Sequence, residues 1–166
     1  VNLSISGFAM TPAILLLKQH DIAFTAHAYE HQHEAKNYGL EAVNALNLSR
    51  DQVFKTLVCQ LISMELVVAI LPVAAQLNLK HLAQAAEVKK ARLAPPKQVQ
   101  ATTGYLLGGV SPLAQKKQLR TFIDVTAQRH HTIFISAGRR GLEIEIAPKD
   151  LGGVTQARFV SLGNTK

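Results

Sequence analysis

An α/β fold, a single domain on a mixed, mostly antiparallel, barrel-like sheet with flanking helices, is what this sequence predicts, on three observations. Short β-rich runs recur along the chain, separated by glycine and proline turns. Between several of them lie segments with apolar residues at helical spacing, opened by residues of capping type. A chain of 166 residues with 48% apolar content can also bury about two-thirds of its unfolded surface, which suits one core.

In chain order, Thr11 and Pro12 read as an N-cap and first helical residue, and Leu15, Leu16 and Leu17 feed a helix that ends near His20. Residues 24–29 predict a strand. Over residues 38–48, Leu40, Val43, Ala45 and Leu46 recur at helical spacing, and residues 47–51 connect onward. Two β-rich runs, 54–62 and 66–71, flank Ser63-Met64-Glu65 and predict a hairpin. Asn78 is placed to cap a helix reaching Ala86. Residues 89–93 predict a short strand, Pro95-Pro96 a break, and Pro96 the start of a helix that runs to Thr103 and stops at Gly104. Beyond a loop at residues 108–112, strand-like runs recur at 122–125, 132–135, 142–146 and 159–162.

Composition narrows the function classes. No apolar run reaches the roughly 18 to 20 residues that span a bilayer; the best, residues 57–72, is interrupted by Gln60, Ser63 and Glu65. Residues 1–9 are apolar but lack a basic leader and precede a Met10-Thr11-Pro12 that reads as the natural start, so they are expected to be an extension on a domain of residues 10–166. The lone Cys59 has no internal disulfide partner, in keeping with a reducing cytoplasm. Charge is unevenly spread. Residues 80–140 hold 11 Lys/Arg against 2 Asp/Glu, whereas residues 1–79 hold 4 against 6. Such a concentrated excess favours a polyanionic partner, with a basic soluble surface as the plainer alternative.

Three segments could carry chemistry. Strand alternation sets Lys55 on the face of Leu57, Cys59 and Leu61, opposite Phe54, Thr56 and Val58. An unpaired ammonium is costly to bury, so it should meet an anion, reach a cleft or lose its charge; snorkelling to water from a strand end is the other reading. In residues 103–112, TGYLLGGVSP, paired glycines allow amides to approach an acyl oxygen or phosphate and proline stiffens the exit, although an ordinary turn uses the same residues. The run Ser136-Ala137-Gly138-Arg139-Arg140-Gly141 sets two guanidiniums beside glycines, which suits phosphate contact or a hairpin tip.

These segments, with Met10-Thr11-Pro12-Ala13 and His27-Ala28-Tyr29, resemble the YbaK/EbsC family of Cys-tRNA(Pro) deacylases, relatives of the prolyl-tRNA synthetase editing domain. The resemblance runs from about residue 10 to residue 162. Its most specific pieces are Phe54-Lys55-Thr56-Leu57, the run from Gly104 to Pro112, and Gly138-Arg139-Arg140-Gly141-Leu142 followed by Glu145-Ile146-Ala147-Pro148. It implies a cleft for the aminoacylated 3′ end of tRNA and a central lysine, here Lys55. It also makes Tyr29, Gly108, Gly109, Val110, Ser111, Pro112, Ser136 and Gly138 candidates for substrate binding. The basic stretch adds Lys116, Lys117, Arg139 and Arg140 as candidates for tRNA contact.

The implied activity is release of cysteine from Cys-tRNA(Pro), with Cys-tRNA(Cys) as a further substrate and assistance from the substrate's own thiol. A deacylase for another small aminoacyl-tRNA such as Ala-tRNA(Pro), or a non-catalytic tRNA-binding module associated with a synthetase, would use the same positive field. The expected partners are aminoacyl-tRNA, chiefly tRNA(Pro), and prolyl-tRNA synthetase, with no cofactor, metal or membrane. His27, His31 and His33 have ligand-like spacing but lie in a polar segment that lacks a fitting fourth ligand. Cys59 reads as packing rather than nucleophile, and Glu143 and Glu145, alternating on one strand face, are expected to be exposed.

Overall fold

Two sheets meeting at one corner organise the computed structural model, which describes residues 10–32, 34 and 37–164. The expected extension, residues 1–9, and His33 lie outside the described residues. Strands β1 (Phe24–Ala28), β7 (Leu142–Ile146) and β6 (Ile133–Arg139) form an antiparallel three-stranded sheet in the order β1-β7-β6. The second sheet runs β4 (Ala91–Leu93), β2 (Phe54–Leu61), β3 (Leu66–Pro72), β5 (Arg120–Asp124), β8 (Arg158–Val160). It is mixed: β4-β2-β3 is antiparallel, and β3-β5 and β5-β8 are parallel. An isolated parallel bridge, Val53 to Phe134, joins the sheets, with the Phe134 N–H donating to the Gln52 carbonyl at 3.1 Å. The barrel-like sheet expected from the sequence thus takes the form of two linked sheets and does not close.

Helix starts follow their caps. Thr11 Oγ1 accepts from the Ile14 N–H at 3.3 Å and opens α1 (Pro12–Gln19), which buries Ala13, Ile14 and Leu17. Asn37 caps α2 (Tyr38–Ala45), and Asn78 caps α3 (Leu79–Ala85). Prolines begin α4 (Pro96–Thr103) and α5 (Pro148–Thr155). The sequence reading did not mark α5, because Gly152 and Gly153 lower its intrinsic propensity. The helix forms through packing: a Cβ at Gly152 would stand 2.8 Å from the Phe159 ring, so only glycine lets β8 lie so close. The signal for it was Pro148 at the first helical position followed by Asp150 in the first turn.

Three apolar layers result. Phe54, Val58 and Ile70 of the larger sheet face Ala26, Ile135 and Ile144 of the smaller one, with α1 and Leu151 of α5 completing this layer. On the other face of the larger sheet, Cys59, Leu61, Leu71 and Phe122 pack on Leu82 of α3. On the outer face of the smaller sheet, Phe134 packs with Ala42 and Val43 of α2. Burying each large aliphatic side chain contributes about 1.5–3 kcal/mol, so each sheet face is held by its own helix or by the other sheet. Among the described residues, no helix is long and apolar enough to cross a membrane.

Candidate active site

A gap in the larger sheet makes a cavity beside Lys55. Strand β4 pairs with β2 only at Cys59, Gln60 and Leu61, and its last contact is the Ala94 N–H donating to the Val58 carbonyl at 3.0 Å. Pro95 and Pro96 then turn the chain into α4, because proline has no N–H to continue a ladder and disfavours helix at the residue before it. The first half of β2 is left without a strand on that flank. A cavity of about 580 Å³ fills the gap, bordered by Phe54 to Val58 of β2, the start of α2, the start of α4, and the β6-β7 hairpin. A larger depression of about 780 Å³ lies by α1 and α5 and contains neither Lys55 nor Tyr29. The smaller cavity therefore holds the candidate chemistry.

Lys55 lines this cavity, half-buried, with its Nζ donating to the Ala75 carbonyl at 2.6 Å. Burial lowers its pKa from the ordinary lysine value. Among the described residues no carboxylate pairs with it. An ammonium has three N–H donors, and Ala75 takes one. The remaining donors and the uncompensated charge suit an anionic or carbonyl oxygen. Next to it, the Thr56 hydroxyl is buried without a hydrogen-bond partner.

The rim is built on Gly108. Its φ is +89°, and an added Cβ would stand 2.6 Å from Arg140 Nε and 2.7 Å from the Tyr38 ring, so a side chain is excluded on both counts. Arg140 sits over the Tyr38 ring, with Cζ 3.9 Å from the ring centroid, and donates to the Tyr38 hydroxyl. Its Nη1 is 3.2 Å from His31 Nε2, and His31 Nδ1 is 2.7 Å from Glu41 Oε1. This chain of contacts fixes the guanidinium over the rim. The Gly109 N–H is already committed to the Leu106 carbonyl at 2.9 Å, whereas the Gly108 N–H has no acceptor among the described residues.

The β6-β7 hairpin supplies the floor. Ser136 and Glu143 are directly paired across it, and both line the cavity with Tyr29, whose N–H donates to the Gly141 carbonyl at 2.9 Å. Burial, reinforced by the nearby Glu143, pushes the Tyr29 phenol up to about 12, so it remains a neutral donor. Glu143 corrects the expectation of exposure: it is 7% exposed, and burial pushes its carboxyl up to about 8. Glu145, two residues on, accepts from Thr132 Oγ1 at 2.6 Å and pairs with His27 Nε2 at 2.9 Å. Although burial raises it, those donors hold it below the ordinary carboxylate range.

Of the residues singled out from the sequence, Tyr29, Lys55, Gly108, Val110, Ser136, Arg139 and Arg140 line the cavity. Gly109, Ser111, Pro112 and Gly138 do not border it. Ser111 is fully buried, its Oγ accepting from the Leu113 N–H at 3.2 Å, and Pro112 borders the larger depression instead. Gly138, at φ +101°, lets the Tyr105 ring pack beneath the hairpin, where a Cβ would stand 2.5 Å from it. Lys116 and Lys117 are exposed beyond α4, tied by their N–H groups to the Thr103 and Thr102 carbonyls. Cys59 is fully buried, and burial pushes its thiol up to about 12, which leaves it unreactive. The sequence reading missed Tyr38, Thr56 and Glu143 as cavity residues. Thr56 sits inside a motif already marked and Glu143 directly after one, but strand alternation alone could not say which face met a cavity.

Known proteins resemble this chain in sequence and in fold. The family model of the aminoacyl-tRNA editing domain matches residues 33–153. EbsC of Enterococcus faecalis, named as a candidate Cys-tRNA(Pro)/Cys-tRNA(Cys) deacylase, is 35% identical over 153 residues, 92% of each chain. YwhH of Bacillus subtilis is 37% identical over 62 residues, covering 37% of this chain and 40% of its own. Among solved structures, a candidate trans-editing enzyme for prolyl-tRNA synthetase superposes with a TM-score of 0.79 at 19% identity, covering 95% of this chain and all of its own. The protein APE2540 superposes at 0.83 and 21% identity, covering 93% of this chain and all of its own. Those two share the fold. With the family model spanning most of the sequence and a relative aligned along nearly all of it, the chain belongs to the aminoacyl-tRNA editing domain family.

Proposed function

We propose that this editing domain acts in trans as a deacylase that releases cysteine from Cys-tRNA(Pro), with the aminoacylated 3′ end held in the 580 Å³ cavity. The observation that carries the reading is Lys55: a half-buried ammonium pinned by Ala75, unpaired by any described carboxylate, in the wall of a cavity of ligand size. Its free N–H donors would hold the terminal phosphate or ribose and stabilise the charge that develops on the ester oxygen. The Gly108 N–H would meet the aminoacyl carbonyl. Arg139 and Arg140 at the rim would take backbone phosphates, and Tyr29 and Ser136 would offer neutral hydroxyls to the substrate. The substrate preference follows the name of the Enterococcus faecalis relative. Prolyl-tRNA synthetase as a partner, and the cytoplasm as the setting where Cys59 stays reduced, belong to the same proposal.

The cavity's lining residues include no His or Cys, so no His-Asp or Cys-His pair is there to activate a protein nucleophile. Attack by the cysteine thiol on its own ester carbonyl would form a C–S bond and break the bond to the ribose oxygen, which takes up the thiol proton. Water would then open the small thiolactone ring. Such a ring demands close positioning, which the fixed Gly108 rim would provide. Single-turnover release from Cys-, Ser- and S-methyl-cysteinyl-tRNA(Pro) tests this. Fast release of the cysteine ester alone is expected; equal rates for all three would assign the attack to water. Binding of all three without release would leave a non-catalytic module. Repeating the assay with Ala-tRNA(Pro), with and without prolyl-tRNA synthetase, reads amino-acid choice and partner dependence.

A further inference from the structure

Among the described residues, Glu143 is the one carboxyl bordering the cavity, and the steps above give it no task. It sits on β7 between His27 of β1 and Ser136 of β6 in the register. Among the described residues, no hydrogen-bond or ion-pair partner of its carboxyl is found, in contrast with the doubly held Glu145 on the same strand face. A carboxyl left unmatched in such surroundings is unfavourable unless a ligand completes it. Of the cations around the cavity, Lys55 is bonded to Ala75 and Arg140 to Tyr38 and His31, and among the described residues none, Arg139 included, pairs with Glu143. The cavity is therefore polarised, with ammonium and guanidinium groups in its wall and rim and one acidic group on its floor.

An aminoacyl ester of tRNA has the complementary pattern, with anionic phosphate on one side of the ester and a cationic α-ammonium on the other. The cysteine side chain is neutral, so the α-amino group is the only cation that the amino acid brings. We infer that Glu143 is the counter-charge for the free α-ammonium of the aminoacyl group, which makes the cavity selective for tRNA carrying an unblocked amino acid and closes it to N-acylated and peptidyl esters. This rests on the reading that the cavity holds the aminoacylated 3′ end. The raised carboxyl fits such a role, since a docking ammonium would restore the ionised form and form a charge-assisted hydrogen bond.

Two measurements separate this inference from its parent reading. The first is binding of a tRNA acceptor minihelix whose cysteine is joined through a stable 3′-amide, with a free or an acetylated α-amino group. Wild-type protein should prefer the free amine by about tenfold or more, as for a hydrogen bond between charged groups. Glu143→Gln should bind both forms alike, and Glu143→Asp should recover part of the preference. Equal binding of the two forms by wild-type protein, or an unchanged preference in Glu143→Gln, overturns the inference whether or not the protein turns over. The second is release from Cys-tRNA(Pro) and from 3-mercaptopropionyl-tRNA(Pro), which keeps thiol and ester but lacks the amine. Glu143→Gln should slow only the cysteine ester. Equal slowing of both would make Glu143 the base that removes the thiol proton and would also overturn the inference, whereas failure of wild-type protein to release cysteine at all would refute the parent reading alone.

Discussion

Lys55 and Glu143 both border the cavity, and burial moves their pKa values in opposite directions, the ammonium down and the carboxyl up. Lys55→Ala removes a charge without emptying the core, because the side chain is only half-buried and ends at the Ala75 carbonyl. We expect an unchanged circular dichroism spectrum and a loss of about 100-fold or more in deacylation, the scale of a deleted oxyanion donor. Lys55→Arg should not restore the rate, since a planar fork does not replace a compact ammonium; near-normal release by Lys55→Ala would end the assignment. Glu143 makes a prediction about stability. Its carboxyl pKa lies near 4.5 in the unfolded chain and about 8 in the fold, so the folded state binds the proton more tightly. That contribution is fully present below the unfolded value and is lost as pH rises toward 8. The melting temperature should therefore fall between pH 5 and pH 8, and Glu143→Gln should flatten the fall. Glu145 and Asp124, both held below the ordinary range, are ionised throughout that window and do not contribute to the slope.

At the scale of elements, the rim and the opening helix separate function from stability. Gly108→Ala must displace Arg140 or Tyr38 and adopt an unfavourable positive φ. The expected outcome is weaker binding of aminoacyl-tRNA and slower release, with a small change in melting temperature, because the rim packs on the surface. Thr11→Ala is its counterpart. Loss of the cap on the Ile14 N–H should cost about 1 kcal/mol, lowering the melting temperature by about 2–4 °C for a domain of this size, with the release rate at 25 °C unchanged. A large loss of activity in Thr11→Ala would mean that α1 positions the site more directly than its packing suggests.

At the scale of the whole molecule, the basic excess of residues 80–140 is divided by the fold. Arg92 is bonded to Gln60 and Arg120 pairs with Glu65, so neither guanidinium is wholly free for tRNA. Arg139 and Arg140 reach the cavity rim, while Lys116 and Lys117 lie beyond α4. Binding of tRNA should weaken steeply with added salt through counterion release. Neutralising the arginine pair should reduce the slope of log affinity against log salt by about one to two. A smaller reduction for the lysine pair would confine the footprint to the cavity side, and an equal one would extend it along α4. If neither double variant changes the slope, the tRNA backbone crosses another face.

What the sequence alone determined was local. Thr11 and Asn78 opened the helices expected of them, the apolar spacing after residue 38 became α2, Gly104 ended α4, and the β-rich runs became strands, because capping and alternation act over a few residues. Lys55 stood out because a charge on an apolar strand breaks those local rules, and it lines the cavity; of the glycine loop, which an ordinary turn could equally use, Gly108 and Val110 reach the cavity and Gly109 does not. Tertiary structure decided which faces met. The Pro95-Pro96 break left β2 partly unpaired and opened the cavity, a consequence of strand order that no local pattern contains. The same pairing turned Glu143 inward beside Ser136 and left Glu145 to Thr132 and His27, although alternation treats the two glutamates alike. Burial and partnership are properties of neighbours distant in sequence, and those neighbours give one carboxylate its donors and leave the other facing the cavity.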